Sequence, residues 1–245
     1  MSGRMNEPKE QPIIFTAESI RAILEDRKIQ TRRTKGLDDV NSYQGELMYC
    51  GLLQSDQYLP QDLKNDFQRN PSQYHNFVGE TENIRQSGDH TMSVCEINPI
   101  LVKCPYGSPG DRLWVKETWG IDPNDYGYSE DQRKLFVDYR ATDEILQPDG
   151  SYIVGGKCHW GWNSPIYMPR WASRIDLEIT GLRAERVQDI TIDDLYAEGC
   201  PALSSDADAS ELYEWFVDLW DSINGKHHPW SKNEYVWVIE FKRIE

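Results

Sequence analysis

The stretch "DRKIQTRRTK", residues 26–35, places five Arg or Lys residues within ten positions of an otherwise acidic chain. The preceding residues, "PIIFTAESIRAILE", open with a short apolar strand and continue as an amphipathic helix. Thr16 is suited to cap that helix, and Ile20, Ile23 and Leu24 form its apolar face. The basic segment itself contains strand-forming residues. We therefore predict a strand, a short helix and a second strand that begins inside the basic segment.

The charge of the whole chain limits what this segment can bind. The 26 Lys and Arg residues against 41 Asp and Glu residues give a formal net charge of −15. Such a surface repels a phosphate backbone overall. Any contact with nucleic acid must therefore be local, or the ligand must be as small as a nucleoside.

Length and composition favour one domain over residues 1–245, with insertions. Residues 37–97 are polar and without periodicity, with ten acidic and three basic residues, and we predict an acidic insertion outside the core. A second loop-rich insertion is predicted over residues 120–165, with one strand in "KLFVDYRAT". No apolar run is long enough to span a membrane, and no signal-peptide pattern opens the chain, which predicts a cytoplasmic protein.

The remaining patterns predict a mixed α+β fold. "MPRWASRIDLEITGLRAERV" contains one long strand, and "EYVWVIEFKRI" forms another at the end of the sequence. Between them, "DITIDDLYAEG" reads as a short helix capped by Thr191 and ended by Gly199. "SELYEWFVDLWDSING" carries apolar residues at helical spacing. Strands outnumber helices, which favours a small β-barrel or mixed sheet with flanking helices.

Lys28 and Thr31 are the candidates for chemistry in the basic segment. A threonine hydroxyl becomes a nucleophile when a base removes its proton, and a neutral lysine can serve as that base. We expect repulsion from Arg27, Arg32 and Arg33 to lower the pKa of Lys28. Residues three apart on a regular strand face opposite sides, so the pair converges only if the chain bends. The alternative is a row of solvated charges on a strand edge.

Glu198 falls in the last turn of its predicted helix. The helix macrodipole disfavours a negative charge there, which suits a group that donates a proton. The alternative is an ordinary exposed glutamate.

Aromatic and basic residues near the second loop-rich region predict a rim that binds a base by stacking: Trp160, Trp162, Trp171, Arg170 and Arg174. The five cysteines have no CxxC spacing and are expected to be free thiols. A zinc site is the weaker alternative, built from Cys95, Cys104, Cys158 and His159.

Four blocks together resemble the ASCH domain of the PUA-like barrel superfamily, in the order that family has: "AILEDRKIQTRR", "PGDRLWV", "IDLEITGLRAERVQDITIDDLYAEG" and "YVWVIEFKRI". The lysine-x-x-threonine-x-arginine segment is the family's most specific feature, and Lys28, Thr31 and Arg33 occupy it. The whole chain is similar to the longer ASCH proteins of bacteriophages and prophages. The resemblance implies a PUA-like β-barrel with flanking helices and long loop insertions.

The small bacterial N4-acetylcytidine amidohydrolases are the relatives that suggest an activity. Carried over residue by residue, the resemblance implies Lys28 as activating base, Thr31 as nucleophile and Glu198 as acid/base, without metal or other cofactor. Arg33 and Arg32 would contact the substrate. The expected activity is hydrolysis of an N-acylated nucleobase or nucleoside.

Two other functions remain open from the sequence. The same barrel mouth could recognise a modified base within RNA or DNA without chemistry. A ribonuclease is the third possibility, since some ASCH proteins cut RNA and clustered cations can stabilise a phosphorane. Both alternatives need a polymer, and their binding should weaken steeply with salt.

Overall fold

The computed structural model of the protein describes residues 8–43, 47–52, 74–79, 100–121, 137–142, 145–146, 152–153, 162–201 and 208–244. The strands are β1 (Glu10–Ile14), β2 (Gln30–Arg33), β3 (Leu47–Leu52), β4 (Tyr74–Gly79), β5 (Ile100–Lys103), β6 (Arg112–Lys116), β7 (Trp119–Ile121), β8 (Val137–Tyr139), β9 (Ile145–Leu146), β10 (Tyr152–Ile153), β11 (Asp176–Arg186) and β12 (Tyr235–Ile244). The helices are α1 (Ala17–Leu24), α2 (Asp38–Asn41), α3 (Ile192–Ala197) and α4 (Ala209–Asn224). Short 3-10 turns cover Pro165–Tyr167, Arg170–Ala172, Val187–Asp189 and Trp230–Lys232.

A mixed five-stranded sheet forms the centre of the structure, in the order β1-β6-β11-β12-β2. Strands β1 and β6 are parallel, and the other neighbours are antiparallel. The long β11 and β12 strands pair along almost their whole length, with a register shift next to Gly181. The predicted α+β class is confirmed.

The predicted closed barrel is not found in the described part of the chain, where the edge strands β1 and β2 do not pair with each other. A side chain links the two edges instead. Arg33 at the end of β2 donates a hydrogen bond of 2.7 Å from Nη2 to the carbonyl oxygen of Ile14 at the end of β1. The sheet is therefore curled enough for its edges to approach each other at this end.

Both faces of β12 are buried, because each face of the sheet packs against a separate apolar layer. Trp237, Ile239 and Phe241 point into the main core, with α1 and the strand residues around it. Val236 and Val238 point into a second core with α3 and α4. A strand covered on both faces reads as a continuous apolar run, which is what "YVWVIEF" is.

Three residues of the predicted acidic insertion belong to the main core. Leu37, Val40 and Phe77 are buried there, and the Phe77 ring meets the Tyr235 ring edge-on at 5.0 Å. The insertion over residues 37–97 stays a prediction, but these three of its residues pack in the main core.

Local signals in the sequence set the helix boundaries. The Thr16 hydroxyl accepts a hydrogen bond from the backbone NH of Ser19, at the start of α1. Thr191 and Asp194 form a capping box at the start of α3, and Asp208 caps α4. The predicted strand in "KLFVDYRAT" is confirmed as β8. Within the described residues, no helix is both long and apolar enough to cross a membrane.

Candidate functional site

Lys28 and Glu198 form a buried ion pair beside the free edge of β2. Lys28 Nζ donates to Oε2 of Glu198 at 2.6 Å and to the Glu198 backbone carbonyl oxygen at 2.7 Å. Only 3% of the Lys28 side chain and 4% of the Glu198 side chain are exposed. Two residues that the sequence nominated for chemistry, 170 positions apart, are therefore in direct contact.

The backbone brings the pair together through the end of α3. Lys28 forms an isolated bridge with Glu198, and the Ile29 NH donates to the Ala197 carbonyl oxygen at 2.9 Å. Gly199 follows with φ +90°, which favours glycine. A Cβ at Gly199 would come within 3.0 Å of the Lys28 Cβ, so the glycine also makes room for the lysine.

Burial lowers the pKa of Lys28 below its usual range. The Glu198 carboxylate opposes this shift, while Arg33 and Arg32 reinforce it. The expected effect of neighbouring arginines thus holds for these two. Arg27 instead turns outward, to the Glu25 carboxylate and the Gly199 carbonyl oxygen.

Arg32 holds the carboxylate of Glu198 from the other side. Its Nη1 donates to Oε1 of Glu198 at 3.0 Å, and its Nη2 lies 2.5 Å from Glu185 and 3.2 Å from Asp194. Its side chain is 1% exposed. Three carboxylates therefore surround the guanidinium of Arg32, and the expected contact of Arg32 with substrate stays a prediction.

The carboxylates around Arg32 belong to a wider network between the sheet and α3. Gln30 donates to Oδ1 of Asp194 at 2.9 Å, and so does Arg183, also at 2.9 Å. Arg183 also contacts Glu185 at 2.9 Å, and Glu240. Hydrogen bonds and the positive charge of Arg32 lower the pKa of Asp194 below its usual range, against the effect of burial. This network fixes α3, and with it Glu198, against the sheet.

Thr31 lies on the opposite face of β2 from Gln30 and Arg32, as strand alternation requires. It is 4% exposed, and its hydroxyl makes no hydrogen bond within the described part of the chain. The expected hydrogen bond between Thr31 and Lys28 is therefore not present. Lys28 precedes the first paired residue of β2, and its amine is directed to Glu198 instead.

Arg33 shares the Thr31 face of β2. Its guanidinium lies 4.9 Å from the centre of the Phe15 ring and donates to Ile14. Burial lowers the pKa of Arg33, and Tyr106 and Glu198 oppose that shift through their charges. Glu198 therefore influences residues on both faces of β2. It accepts a hydrogen bond from Arg32, and its negative charge raises the pKa of Arg33.

Arg170, predicted as part of a binding rim, is paired elsewhere. It contacts the carboxylates of Glu10 at 3.1 Å and Asp176 at 2.9 Å, at the starts of β1 and β11. Its guanidinium also lies 5.9 Å from the Trp114 ring. None of these contacts involves the Lys28–Glu198 pair.

Arg174 and Trp171 are likewise not joined to the pair by any contact among the described residues. Arg174 makes a two-fold contact with the buried carboxylate of Glu117, at 2.9 and 3.0 Å, and covers the Tyr139 ring at 4.0 Å. Trp171 is 59% exposed and meets the Trp119 ring edge-on. Trp160, also predicted for the rim, lies outside the described residues.

The zinc alternative falls largely outside what the structure describes, since Cys95, Cys158 and His159 are not among the described residues. Cys104 and Cys200 are free and buried, and burial raises the pKa of Cys104 to about 12. No group of three or more candidate metal ligands is found within the described ranges.

Sequence reasoning missed Asp194, Glu185 and Tyr106 as neighbours of the site. Asp194 belongs to the capping box of α3, and its side chain also contacts Arg32 and Arg183. A signal existed for Glu185, because it follows Ala184 in a long strand, and alternation sends neighbouring residues of a strand to opposite faces. Comparison with protein-family models, curated proteins and solved structures gives no match for this chain.

Proposed function

We propose that the protein is a metal-independent amidohydrolase that acts on an N-acylated nucleobase or nucleoside, on a curled sheet of the PUA-like (ASCH) kind. The observation that carries the proposal is the buried Lys28–Glu198 pair, three positions along the chain from Thr31. The ASCH motif nominates these three residues, and the side-chain link between β1 and β2 supports a barrel-like curl.

The chemistry follows from the contacts of Lys28. In its neutral form, which burial favours, Lys28 accepts the hydroxyl proton as Thr31 Oγ1 attacks the amide carbonyl. The 2.6 Å contact offers that proton a path to Glu198. Glu198 then protonates the departing amine, and water releases the acyl group from Thr31. Lys28 and Thr31 lie on opposite sides of the chain at β2, so the reaction requires the start of β2 to bend and bring them together when substrate binds.

The burial of the site favours a small substrate. Lys28, Thr31 and Glu198 are each no more than 5% exposed. A flat polymer backbone cannot reach such side chains, whereas a free nucleoside or a single extruded base needs a smaller opening to reach them. This supports the amidohydrolase over a ribonuclease, whose phosphate would have to reach the lysine.

The test is a substrate panel. Purified protein is incubated with N4-acetylcytidine, other N-acyl cytidines and single-stranded RNA, and the products are identified by mass spectrometry. We expect release of the free acid and the deacylated nucleoside. Binding of an acylated base without any product would instead identify a base-recognition module, and shortened RNA would identify a ribonuclease.

A further inference from the structure

Arg33 is a cation beside the main core whose guanidinium has no carboxylate partner within the described part of the chain. One hydrogen bond runs to the backbone of Ile14, and one face covers the Phe15 ring. Its Nε is buried and has no hydrogen-bond partner. Arg32, its neighbour in the chain, contacts three carboxylates. Carboxylates of the protein therefore neutralise Arg32, whereas the adjacent Arg33 has no carboxylate partner among the described residues.

An arginine withdrawn from water without a counter-ion is unfavourable unless something else completes it. The guanidinium carries five N–H donors in a planar fork, and the contact with Ile14 uses one of them. The groups that match this fork are planar or tetrahedral oxyanions, namely carboxylates and phosphates. Because Arg33 is only partly buried as a whole residue, such a group can reach it from solvent.

A hydroxyl group lies on the same face of β2 as this fork. Thr31 is two positions earlier in the strand, and its hydroxyl makes no hydrogen bond among the described residues. Unsatisfied N–H donors on the same face as an unsatisfied hydroxyl form a polar surface suited to an anionic ligand.

We propose that Arg33 binds a carboxylate or phosphate group of the ligand, on the face of β2 that it shares with Thr31. That this ligand is the substrate rests on the proposed function. The substrate is then an N-acylated nucleoside that carries an anionic group, either a 5′-phosphate or a carboxylate in the acyl chain, and the neutral nucleoside is the poorer substrate.

The first experiment measures anion binding without turnover. Inorganic phosphate and succinate are titrated into the parent protein, Arg33→Met, Arg33→Lys and the control Arg243→Met, by calorimetry and thermal shift at low salt. Arg243 is an exposed arginine paired with Asp26, remote from this site in the sheet. We expect the parent and the control to bind alike, and Arg33→Met to lose on the order of 10–100-fold in affinity. Unchanged affinity in Arg33→Met, or no binding by the parent, would overturn the proposal.

Arg33→Lys covers the case in which the methionine variant does not fold. Lysine keeps the charge and loses the two-fold geometry, so affinity should fall between the parent and the loss expected for methionine. A lysine variant as tight as the parent would also overturn a fork-shaped site.

The second experiment separates the two sources of the anion and the two proposals. kcat/KM is compared for N4-acetylcytidine, its 5′-monophosphate and N4-succinylcytidine, in the parent and in Arg33→Met. Preference for one anionic compound, lost in the variant, identifies the source. Phosphate binding with no hydrolysis of any compound would leave the anion site standing and remove the proposed function. Hydrolysis of N4-acetylcytidine, with no anion preference in the parent, would do the reverse.

Discussion

Lys28 Nζ lies 2.6 Å from Oε2 of Glu198, and both side chains are almost completely buried. The Glu198 carboxylate receives Lys28 at one oxygen and Arg32 at the other, so a single acidic group lies between two buried cations. Removing one member of such a set is far more costly than removing a surface pair, because the remaining charges stay buried.

Glu198→Gln tests the cost of removing the carboxylate from this set of buried charges. The amide keeps the shape of the side chain and removes its charge, which leaves Lys28 and Arg32 buried without it. We expect the free energy of unfolding to fall by about 3–5 kcal/mol at pH 7, measured by urea denaturation. Glu178→Gln is the control, at an exposed pair with Lys242, and should cost about 0–1 kcal/mol.

The same variant should show a pH dependence of known sign. Because the pKa of Lys28 is lowered on folding, the unfolded chain binds more protons, and stability is lost as pH falls below the usual lysine range. Glu198 limits that loss by raising the pKa. The stability gap between the parent and Glu198→Gln should therefore shrink from pH 7 to pH 10. A gap of constant size would contradict the lowered pKa.

Lys28→Ala and Thr31→Ala separate an enzyme from a base-recognition module. In the amidohydrolase both groups act mainly in the transition state, so turnover should be abolished while substrate affinity stays within a few-fold of the parent. In a recognition module the same groups would touch the bound ligand, and each loss should cost about 1–3 kcal/mol of affinity. Single-turnover kinetics and calorimetry distinguish these outcomes, with circular dichroism to check folding. Full activity in both variants would end the catalytic assignment.

The parts of the structure that could be predicted from sequence depend on neighbours in the chain. The caps at Thr16 and Thr191 act over three residues, and the apolar face of α4 repeats within one helix. Edge contacts of the sheet gave no such signal. The link from Arg33 to Ile14 depends on how far the sheet curls, which no local pattern encodes.

The candidate site could also be predicted only in part. The resemblance groups Lys28, Thr31 and Glu198 as a site. In the structure Lys28 and Glu198 are in contact, whereas Thr31 lies on the other face of β2. The role of Arg32 could not be predicted, because its three carboxylates come from β11, α3 and the residue after α3. Adjacent arginines look equivalent in a sequence, although strand alternation sends them to different layers.

Arg32→Lys tests whether Arg32 is a positioning residue. An ammonium group cannot serve three carboxylates with the geometry of the guanidinium fork. We expect a loss of about 3–5 kcal/mol in the free energy of unfolding, with phosphate affinity at Arg33 unchanged in the folded fraction. Arg183→Met is the matched control, since Arg183 joins the same network from a more exposed position. A stable Arg32→Lys variant with weakened ligand binding would show instead that Arg32 contacts the substrate directly.

Phe77→Ala tests the contribution of the acidic segment to the core. Phe77 is fully buried against Tyr235, so truncation leaves a cavity and should cost about 3–5 kcal/mol. Tyr167→Ala, at a ring that is 77% exposed, should change stability by no more than about 0.5 kcal/mol. Equally small losses of stability in both variants would show that Phe77 contributes little to the core, and residues 37–97 would then be an addition outside it.

The burial of His75, in the same segment, makes the stability of the fold depend on pH. Burial lowers the pKa of His75 to about 4, next to the Trp237 ring at 4.7 Å. The folded protein therefore keeps His75 neutral where the unfolded chain, with a pKa near 6.5, has begun to bind a proton. The sign follows directly: this residue contributes a loss of stability as pH falls from about 6.5 to about 4, of about 3 kcal/mol in total. His75→Gln cannot take up the proton and keeps a hydrogen-bond donor and acceptor. Its stability, measured by urea denaturation, should fall less steeply than that of the parent over this interval, and the two slopes should agree between pH 7 and pH 8. Identical slopes below pH 6.5 would show that His75 is protonated alike in the folded and unfolded chains.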